Sequence, residues 1–401
     1  MGPTPTEGHG VAYAATQMLR GLAAAGVELD CFVAASPEDV PMSLRSESRM
    51  RFHCEPVRWE WERWYSRDPL SAFVTGQTAR MRAQGRLARV LERLHATRPY
   101  DLVYQYSQIE LGALRGLRAR LPPVVLHPEV HAAGELRWLR LEAALMRRCA
   151  SFPRRTAVRA MLALRSFLQR RDMPVARLVI APSRHFAEQL GRDYGVAPER
   201  LAVVPNPIDL RRFSPADQAP SRRPLTALFV SRIAVRKGVE TVVQLSHRLA
   251  DLAADLHLLV VGDKDQWSDY RPLLRDLHPG VASYHGPATA EVPRLYREAA
   301  MLLQIPHYEP FGLTVGEALA SGCPVISSDV VGAVEDVDRR CCRIFPTGDL
   351  DALEGEVRRL LAELQAGGTE VRRLARAEAE RLFDPLAVGE RLAAALETAV
   401  R

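Results

Sequence analysis

At 401 residues the chain is long enough for two domains of ordinary size. Its 47% hydrophobic and 25% charged content is that of a globular protein and excludes a disordered one. The net charge of +6 comes with no basic–aromatic stripe, so no nucleic-acid partner is expected, and no apolar stretch reaches the roughly 18 residues of a membrane span.

Six cysteines, Cys31, Cys54, Cys149, Cys323, Cys341 and Cys342, form no paired spacing. Free thiols, no metal site and a cytoplasmic address are expected. The first twenty residues lack the basic start and apolar run of a secretory leader, so none is expected. Only Lys237 and Lys264 are lysines against 52 arginines, which makes each lysine worth weighing.

In chain order, a Gly/Pro/Thr loop containing Gly8 and Gly10 opens directly into an amphipathic helix over 11–25. Glycines there let backbone approach a phosphate or sugar closely. In a doubly wound domain such a loop follows a first, central strand. Met1-Gly2-Pro3 stands where that strand should end, so the first strand is expected to be missing and the chain to be a shortened form. Strands are read over 28–34 and 51–57. Three tryptophans follow, Trp59, Trp61 and Trp64; they read as packing under a loop, with an acceptor platform as the alternative. A long helix is expected over 71–97, a strand over 101–106, a helix over 108–120, and a strand over 123–126 ending at His127. An Arg/Leu/Ala-rich region runs to 171. Its part from Arg154 to Arg171 is basic and amphipathic: a helix with a solvated basic face, or one resting on an anionic membrane. Strands at 178–181 and 201–204 flank a helix over 185–194 capped by Ser183.

Residues 211–223, rich in Pro, Ser and Arg, read as a linker. Strands then recur at 227–230, 257–262, 281–285, 301–305, 325–328 and 342–345, with helices between. Strand–helix alternation in both halves argues two parallel-sheet α/β domains, over 1–210 and 224–384. The tail over 385–401 reads as a helix. Ligands of such sheets bind at the carboxyl ends of the strands, here expected in a cleft between the domains.

The stretch from Gln304 to Asp329, QIPHYEPFGLTVGEALASGCPVISSD, carries the most chemistry. Pro306 and Pro310 bracket a loop after a strand. Phe311, Gly312, Leu313 and Thr314 lead into a helix over 315–321, which Gly322 would end. Glu309 therefore lies on the loop, and Glu317 about a turn into the helix. The helix N-terminus between them offers unpaired N–H groups and positive dipole charge to an anion. A phosphate flanked by two polyols, a nucleotide-sugar, fits that surface. A second signal is Ser231-Arg232-Ile233-Ala234-Val235-Arg236-Lys237-Gly238, after a strand and opening a helix. Arg232 and Lys237, five apart, suit a diphosphate.

The phrase EPFGLTVGEALASGCPVI, with seven residues between its two glutamates, closely resembles the donor site of family 4 glycosyltransferases. The resemblance runs from about residue 8 to the end. It implies the GT-B fold, two Rossmann-like domains facing a cleft, with the last helix over 385–401 crossing back to an acceptor-binding N-terminal domain. It implies retaining transfer from a nucleoside-diphosphate sugar. Glu309 would hold sugar hydroxyls and Glu317 the ribose. The backbone of Phe311, Gly312, Leu313 and Thr314 would touch sugar or phosphates. Arg232 and Lys237 match the family's Gly-Arg-x4-Lys-Gly signature, with Ser231 in place of its first glycine, and would neutralise the leaving diphosphate. Gly8 and Gly10 match a Gly-Gly loop, with His9 a departure. His127 matches a histidine at a strand end facing the reacting sugar; His131 is the rival. Asn206 matches a Pro-Asn-Gly phrase that closes the first domain. No Asp-x-Asp phrase of the metal-dependent kind is read in the sequence, so no essential metal is expected. A pyridoxal-phosphate enzyme would need a Schiff-base lysine, and only Lys264, in a loop, remains, so no cofactor is expected. The acceptor is left open among glycan, lipid-linked and small molecules, with contact at the inner face of the membrane if it is a lipid. The alternatives are a sugar-nucleotide epimerase of the same fold and a non-catalytic sugar-nucleotide-binding protein.

Overall fold

The computed structural model describes residues 10–57, 69–107, 109–216, 224–265, 269–288 and 290–401. Gly8, the three tryptophans from Trp59 to Trp64 and the linker from 217 to 223 lie outside these residues. In chain order the strands are β1 (Leu29–Val33), β2 (Met50–Cys54), β3 (Val103–Ser107), β4 (Val124–Pro128), β5 (Leu178–Ala181), β6 (Leu201–Val203), β7 (Leu225–Val230), β8 (Leu256–Val261), β9 (Ala282–Gly286), β10 (Met301–Gln304), β11 (Val325–Ser328) and β12 (Cys342–Phe345). The longer helices are α1 (Val11–Ala24), α2 (Pro69–Thr97), α3 (Ala132–Leu141), α4 (Ala143–Cys149), α5 (Phe152–Asp172), α6 (Arg184–Tyr194), α7 (Val239–Arg248), α8 (Val292–Glu298), α9 (Leu313–Ala320), α10 (Leu350–Gln365), α11 (Thr369–Phe383) and α12 (Pro385–Val400). Every strand expected from the sequence is present to within a residue or three, and all named pairings are parallel.

Local chemistry sets several boundaries. Ser183 Oγ accepts the Phe186 N–H at 3.1 Å and starts α6. Gly322, at φ 70, ends α9 in the left-handed conformation that favours glycine. The helix expected over 108–120 does not form as one piece. A single turn at Gly112–Arg115 and a 3₁₀ turn at Arg118–Arg120 stand there. Gly112, Gly116 and the single buried Leu114 between them give a continuous helix little support.

The chain divides into two compact units. The first holds Met1–Arg137, Thr156–Pro207 and Pro385–Arg401; the second holds Trp138–Arg155 and Ile208–Asp384. The tail helix α12 thus returns to the first unit, as expected. Residues 138–155 do not stay with their sequence neighbours. Leu145 and Cys149 pack against the second unit's core, and the Tyr270 hydroxyl donates to the Glu142 carboxylate at 3.1 Å. The start of the expected linker also packs. Phe213 is buried, and the Arg376 guanidinium donates to the Leu210 and Phe213 carbonyls.

In the first unit β3-β4-β5-β6 form one sheet and β1-β2 another. Alternate side chains face two layers. Val103, Val124, Leu126 and Val179 pack with Leu91 of α2 and Leu190 of α6, while Val125, Leu178 and Ile180 pack with Met18 and Leu22 of α1 and Leu392 of α12. In the second unit the sheet order is β12-β11-β10-β7-β8-β9. Ala227 and Phe229 face α7 and α10, and Leu228 faces α8, α9 and α11. Strands buried on both faces read as continuous apolar runs, which is why they were visible in the sequence.

Candidate functional site

The second unit's sheet builds β7, β8 and β9 outward to one side, then returns to place β10 on the other side of β7. The order reverses between β7 and β10, and loops at that point lie outside the carboxyl ends of adjacent strands. The loop after β7 carries Arg232 to Gly238; the loop after β10 carries Ile305 to Gly312.

These two loops meet. The Lys237 ammonium forms an ion pair with the Glu309 carboxylate, both side chains largely buried. The Arg236 carbonyl accepts the His307 N–H at 2.8 Å. Gly238, at φ 87, ends a 3₁₀ turn over Val235–Lys237 and begins α7. A Cβ there would fall 2.3 Å from the Ile305 carbonyl oxygen, so only glycine lets the loops approach. Burial pulls the Lys237 ammonium below the usual lysine range, and Glu309 works against that shift.

The loop after β7 is pinned from behind. The Ser231 N–H donates to Val261 O at 3.1 Å and the Ile233 N–H to Asp263 O at 2.8 Å. Ser107 is the one non-glycine residue with positive φ among the described residues, so Ser231 in the signature's glycine position takes ordinary backbone. The tight contact falls on its neighbour. A Cβ on Gly262 would come 1.7 Å from Ser231 O. Arg232 is exposed beside this turn.

Helix α9 starts between the two glutamates. Gly312 is its N-cap at φ 97, and a Cβ there would meet Val331 Cγ1 at 2.8 Å and Glu309 Cγ at 3.3 Å. The N–H groups of Leu313 and Thr314, in the first turn, have no partner within the helix. The Thr314 hydroxyl donates to Gln304 Oε1 at 2.9 Å, which fixes the helix start to the end of β10. The Phe311 ring does not face this surface. It is buried edge-on against Phe383 at 5.8 Å, so only its backbone is offered. Lys237 and the start of α9 supply positive charge, and Glu309 a carboxylate between them: a surface for an anion joined to a hydroxyl-bearing group.

Glu317 is buried on α9, its Oε2 accepting the Tyr296 hydroxyl at 3.1 Å. Burial pushes its carboxyl up to about 7, against 4.5 for an ordinary glutamate. The folded state therefore holds a proton that the unfolded chain loses, and stability present below about pH 4.5 is lost as pH rises through about 7. Glu142 behaves alike, burial raising it to about 7 against the opposing charge of Arg236. Glu317→Gln is expected to remove one of these two contributions. Chemical denaturation from pH 5 to 8 should show a flatter profile, with the variant gaining up to roughly 3 kcal/mol over the parent at pH 8. An unchanged slope would show that Glu317 stays ionised.

Sequence reasoning missed the residues that hold this surface in place. His307 stacks on Trp138 with ring centroids 5.4 Å apart, and Arg236 approaches buried Asp265 at 3.4 Å. Trp138 lies far away in sequence, and only the exchange of residues 138–155 brings it there.

The first unit holds the remaining expected residues. Gly10 caps α1 at φ 73. His127 closes β4 fully buried, with Nδ1 2.6 Å from the Tyr104 hydroxyl. Burial pulls its imidazole down to about 3, so the ring is neutral. The rival His131 is held by Asp193 of α6 at 2.7 Å, a tie between elements. Asn206 donates to Glu129 Oε2 at 2.6 Å where the unit ends. Among the described residues no group of three His, Cys, Asp or Glu is placed to hold a metal ion, and no helix is long and apolar enough to cross a membrane. All six cysteines are free.

The sequence description of Glycosyltransferase Family 4 matches residues 8–212, and that of glycosyl transferases group 1 matches residues 224–363. The chain belongs to glycosyltransferase family 4. This family 4 protein is 26% identical over 234 residues to a probable transglycosylase of Burkholderia thailandensis, covering 54% of this chain and 59% of that one. It is 29% identical over 315 residues to D-inositol 3-phosphate glycosyltransferase 1 of Catenulispora acidiphila, covering 72% and 71%. It thus spans less than two thirds of the first relative's length. Among solved structures it resembles sucrose-phosphate synthase from Thermosynechococcus elongatus, with a TM-score of 0.68 at 21% identity over 97% of this chain and 93% of that one. It also resembles Anabaena HepE in complex with UDP, with a TM-score of 0.64 at 18% identity over 99% and 98%. The family 4 protein has the GT-B fold, as expected from its sequence.

Proposed function

We propose that the protein is a retaining glycosyltransferase that uses a nucleoside-diphosphate sugar and needs no metal. One observation supports this above the rest: Lys237 and Glu309 converge from two loops beside the N-terminus of α9. Lys237, the first-turn N–H groups of α9 and exposed Arg232 would hold the diphosphate. Glu309 would bind hydroxyls of the sugar, and Glu317 the ribose. The bond from the anomeric carbon to the diphosphate oxygen breaks, and the acceptor oxygen bonds to the same face. The acceptor proton passes to the departing phosphate. Stabilisation of that developing charge is the main catalytic contribution. HepE was solved with UDP-glucose, which favours a UDP-sugar as donor.

In the first unit, neutral His127 would face the reacting sugar, and Gly10 would let backbone approach it. The acceptor is a hydroxyl compound of unassigned class. Phe152, Leu164 and Phe167 are exposed on the arginine-rich α5, which suits peripheral contact with an anionic membrane at its cytoplasmic face.

The test is binding and hydrolysis of a panel of UDP-, GDP-, ADP- and TDP-sugars, with Glu309→Ala alongside. One donor should bind and hydrolyse slowly, and the variant should lose both properties. Binding by none of them removes the proposal. Binding with epimerised, unhydrolysed product would favour the epimerase.

A further inference from the structure

The segment 138–155 reaches both donor loops from one side of a helix. Trp138, near the end of α3, and Glu142, the N-cap of α4, are four residues apart, and the Glu142 N–H donates to Trp138 O at 2.8 Å. That spacing sets the two side chains one above the other. Each meets a different loop. The Trp138 ring stacks on His307, two residues before Glu309, with centroids 5.4 Å apart. Glu142 is buried, accepts the Tyr270 hydroxyl at 3.1 Å, and lies in the field of Arg236, the residue before Lys237. The loops are joined to each other by the Arg236 carbonyl with the His307 N–H, and by the Lys237–Glu309 ion pair. All these residues belong to the second unit.

The charges in this cluster do not balance. Asp265, in the loop after β8, is buried and approaches the Arg236 guanidinium at 3.4 Å. Glu142 and Asp265 therefore both draw on Arg236, while Glu309 takes Lys237. Three carboxylates meet two cations, and Lys237 feels Glu309, Arg236 and Asp265 together. The neighbouring charges are engaged elsewhere. Arg271 pairs with Asp263 and Asp269, Lys264 acts on Asp269, and Arg148 of α4 lies 3.9 Å from exposed Asp276. His307 adds no charge at neutral pH, because burial pulls its imidazole below the usual range. A proton on Glu142 makes the cluster neutral.

We propose that Trp138 and Glu142 are positioning residues of the donor site, and that a nucleoside-diphosphate sugar binds with uptake of a proton at Glu142. The inference rests on the donor reading above. A diphosphate arriving at Lys237 brings negative charge beside Arg236. It draws on the cations that support ionised Glu142, so the buried carboxyl holds its proton more tightly. Coupling is reciprocal, and the protonated cluster binds the donor better. The bound state keeps a proton that the free state gives up. The contribution of Glu142 to affinity is therefore full at low pH and falls as pH rises through about 7, to which burial raises the free carboxyl. Glu317 works in the opposite sense, since a carboxylate that accepts ribose hydroxyls is favoured ionised.

The experiment is calorimetric titration of parent and Glu142→Gln with UDP-glucose from pH 6 to 8.5, with GDP-, ADP- and TDP-glucose in parallel. The diphosphate of these probes is esterified at both ends and does not titrate in this range. The amide keeps an acceptor for Tyr270 and cannot ionise. The ratio of parent to variant Kd removes the contribution of groups common to both, Glu317 among them. It should rise about tenfold across the range, the effect of a shift of about one pKa unit on binding. In buffers of different ionisation enthalpy at pH 7.5, the parent should take up a larger fraction of a proton than the variant. Trp138→Ala should weaken binding about threefold to tenfold at every pH, the worth of one aromatic pair, and Trp138→Phe should restore part of it. A Kd ratio constant with pH overturns the proton assignment and leaves the donor reading intact. Unchanged binding by Trp138→Ala would show that the stack places neither loop. Failure of all four probes to bind the parent at any pH overturns the donor reading and this inference with it.

Discussion

Lys237→Ala is expected to lower donor hydrolysis by about a hundredfold to a thousandfold, the loss seen when one preorganised stabiliser of developing charge is removed. The ammonium is fixed before any substrate arrives. Gly238 seats the loop against Ile305, and Glu309 holds the amine in place. A group already oriented and largely desolvated gains more from a developing charge than one reaching in from water. Loss of the amine also leaves the Glu309 carboxylate without that counter-ion, so the single variant should be slightly destabilised. The double variant Lys237→Ala with Glu309→Ala should recover that stability while remaining inactive. This separates a catalytic charge from a structural ion pair. Should the double variant regain turnover, the pair holds the loops together and does no chemistry. Lys237→Arg is expected to rescue only part of the activity, because a planar guanidinium does not fit a seat shaped around a compact ammonium.

The site was legible because its parts are local. Strand ends, prolines and a helix start place Glu309 and Glu317 within one loop and one turn. The strands of the four-stranded and six-stranded sheets were legible for a similar reason: burial on both faces leaves largely apolar runs. Three things were not legible. That Phe311 turns inward to Phe383 depends on α11, about seventy residues later. The contact between Trp138 and His307 needs residues 138–155 to leave the unit of their neighbours, and no composition shift marks either end. That a serine fits the signature's first glycine position depends on Gly262, on the adjacent strand end, which bears the close approach to Ser231 O. Sequence patterns report which face of an element is apolar. They do not report which distant element covers it.

Gly389→Leu should be the most damaging substitution outside the donor site. Helices α1 and α12 come together at Gly21 and Gly389, where a Cβ added at Gly389 would fall 2.3 Å from the Gly21 carbonyl carbon and 2.4 Å from its Cα. Backbone cannot rotate away as a side chain can, so the helices must separate. That opens the layer in which Met18, Leu22, Val388 and Leu392 pack against Val125 and Ile180. The expected loss is about 3 kcal/mol, at the upper end for overpacking. It corresponds to a fall of roughly 6–12 °C in the midpoint of a unit of this size. Exposed Glu390, the next residue on α12, gives the control: Glu390→Ala should stay within about 0.5 kcal/mol. Calorimetry should show the effect confined to one transition. The residues of the crossing belong to the first unit, while Lys237, Glu309 and α9 belong to the second. UDP-sugar binding at 10 °C should therefore survive in the variant. A midpoint unchanged from the parent would mean that the two helices do not approach at these glycines, and the return of the tail to the first unit would lose its packing basis.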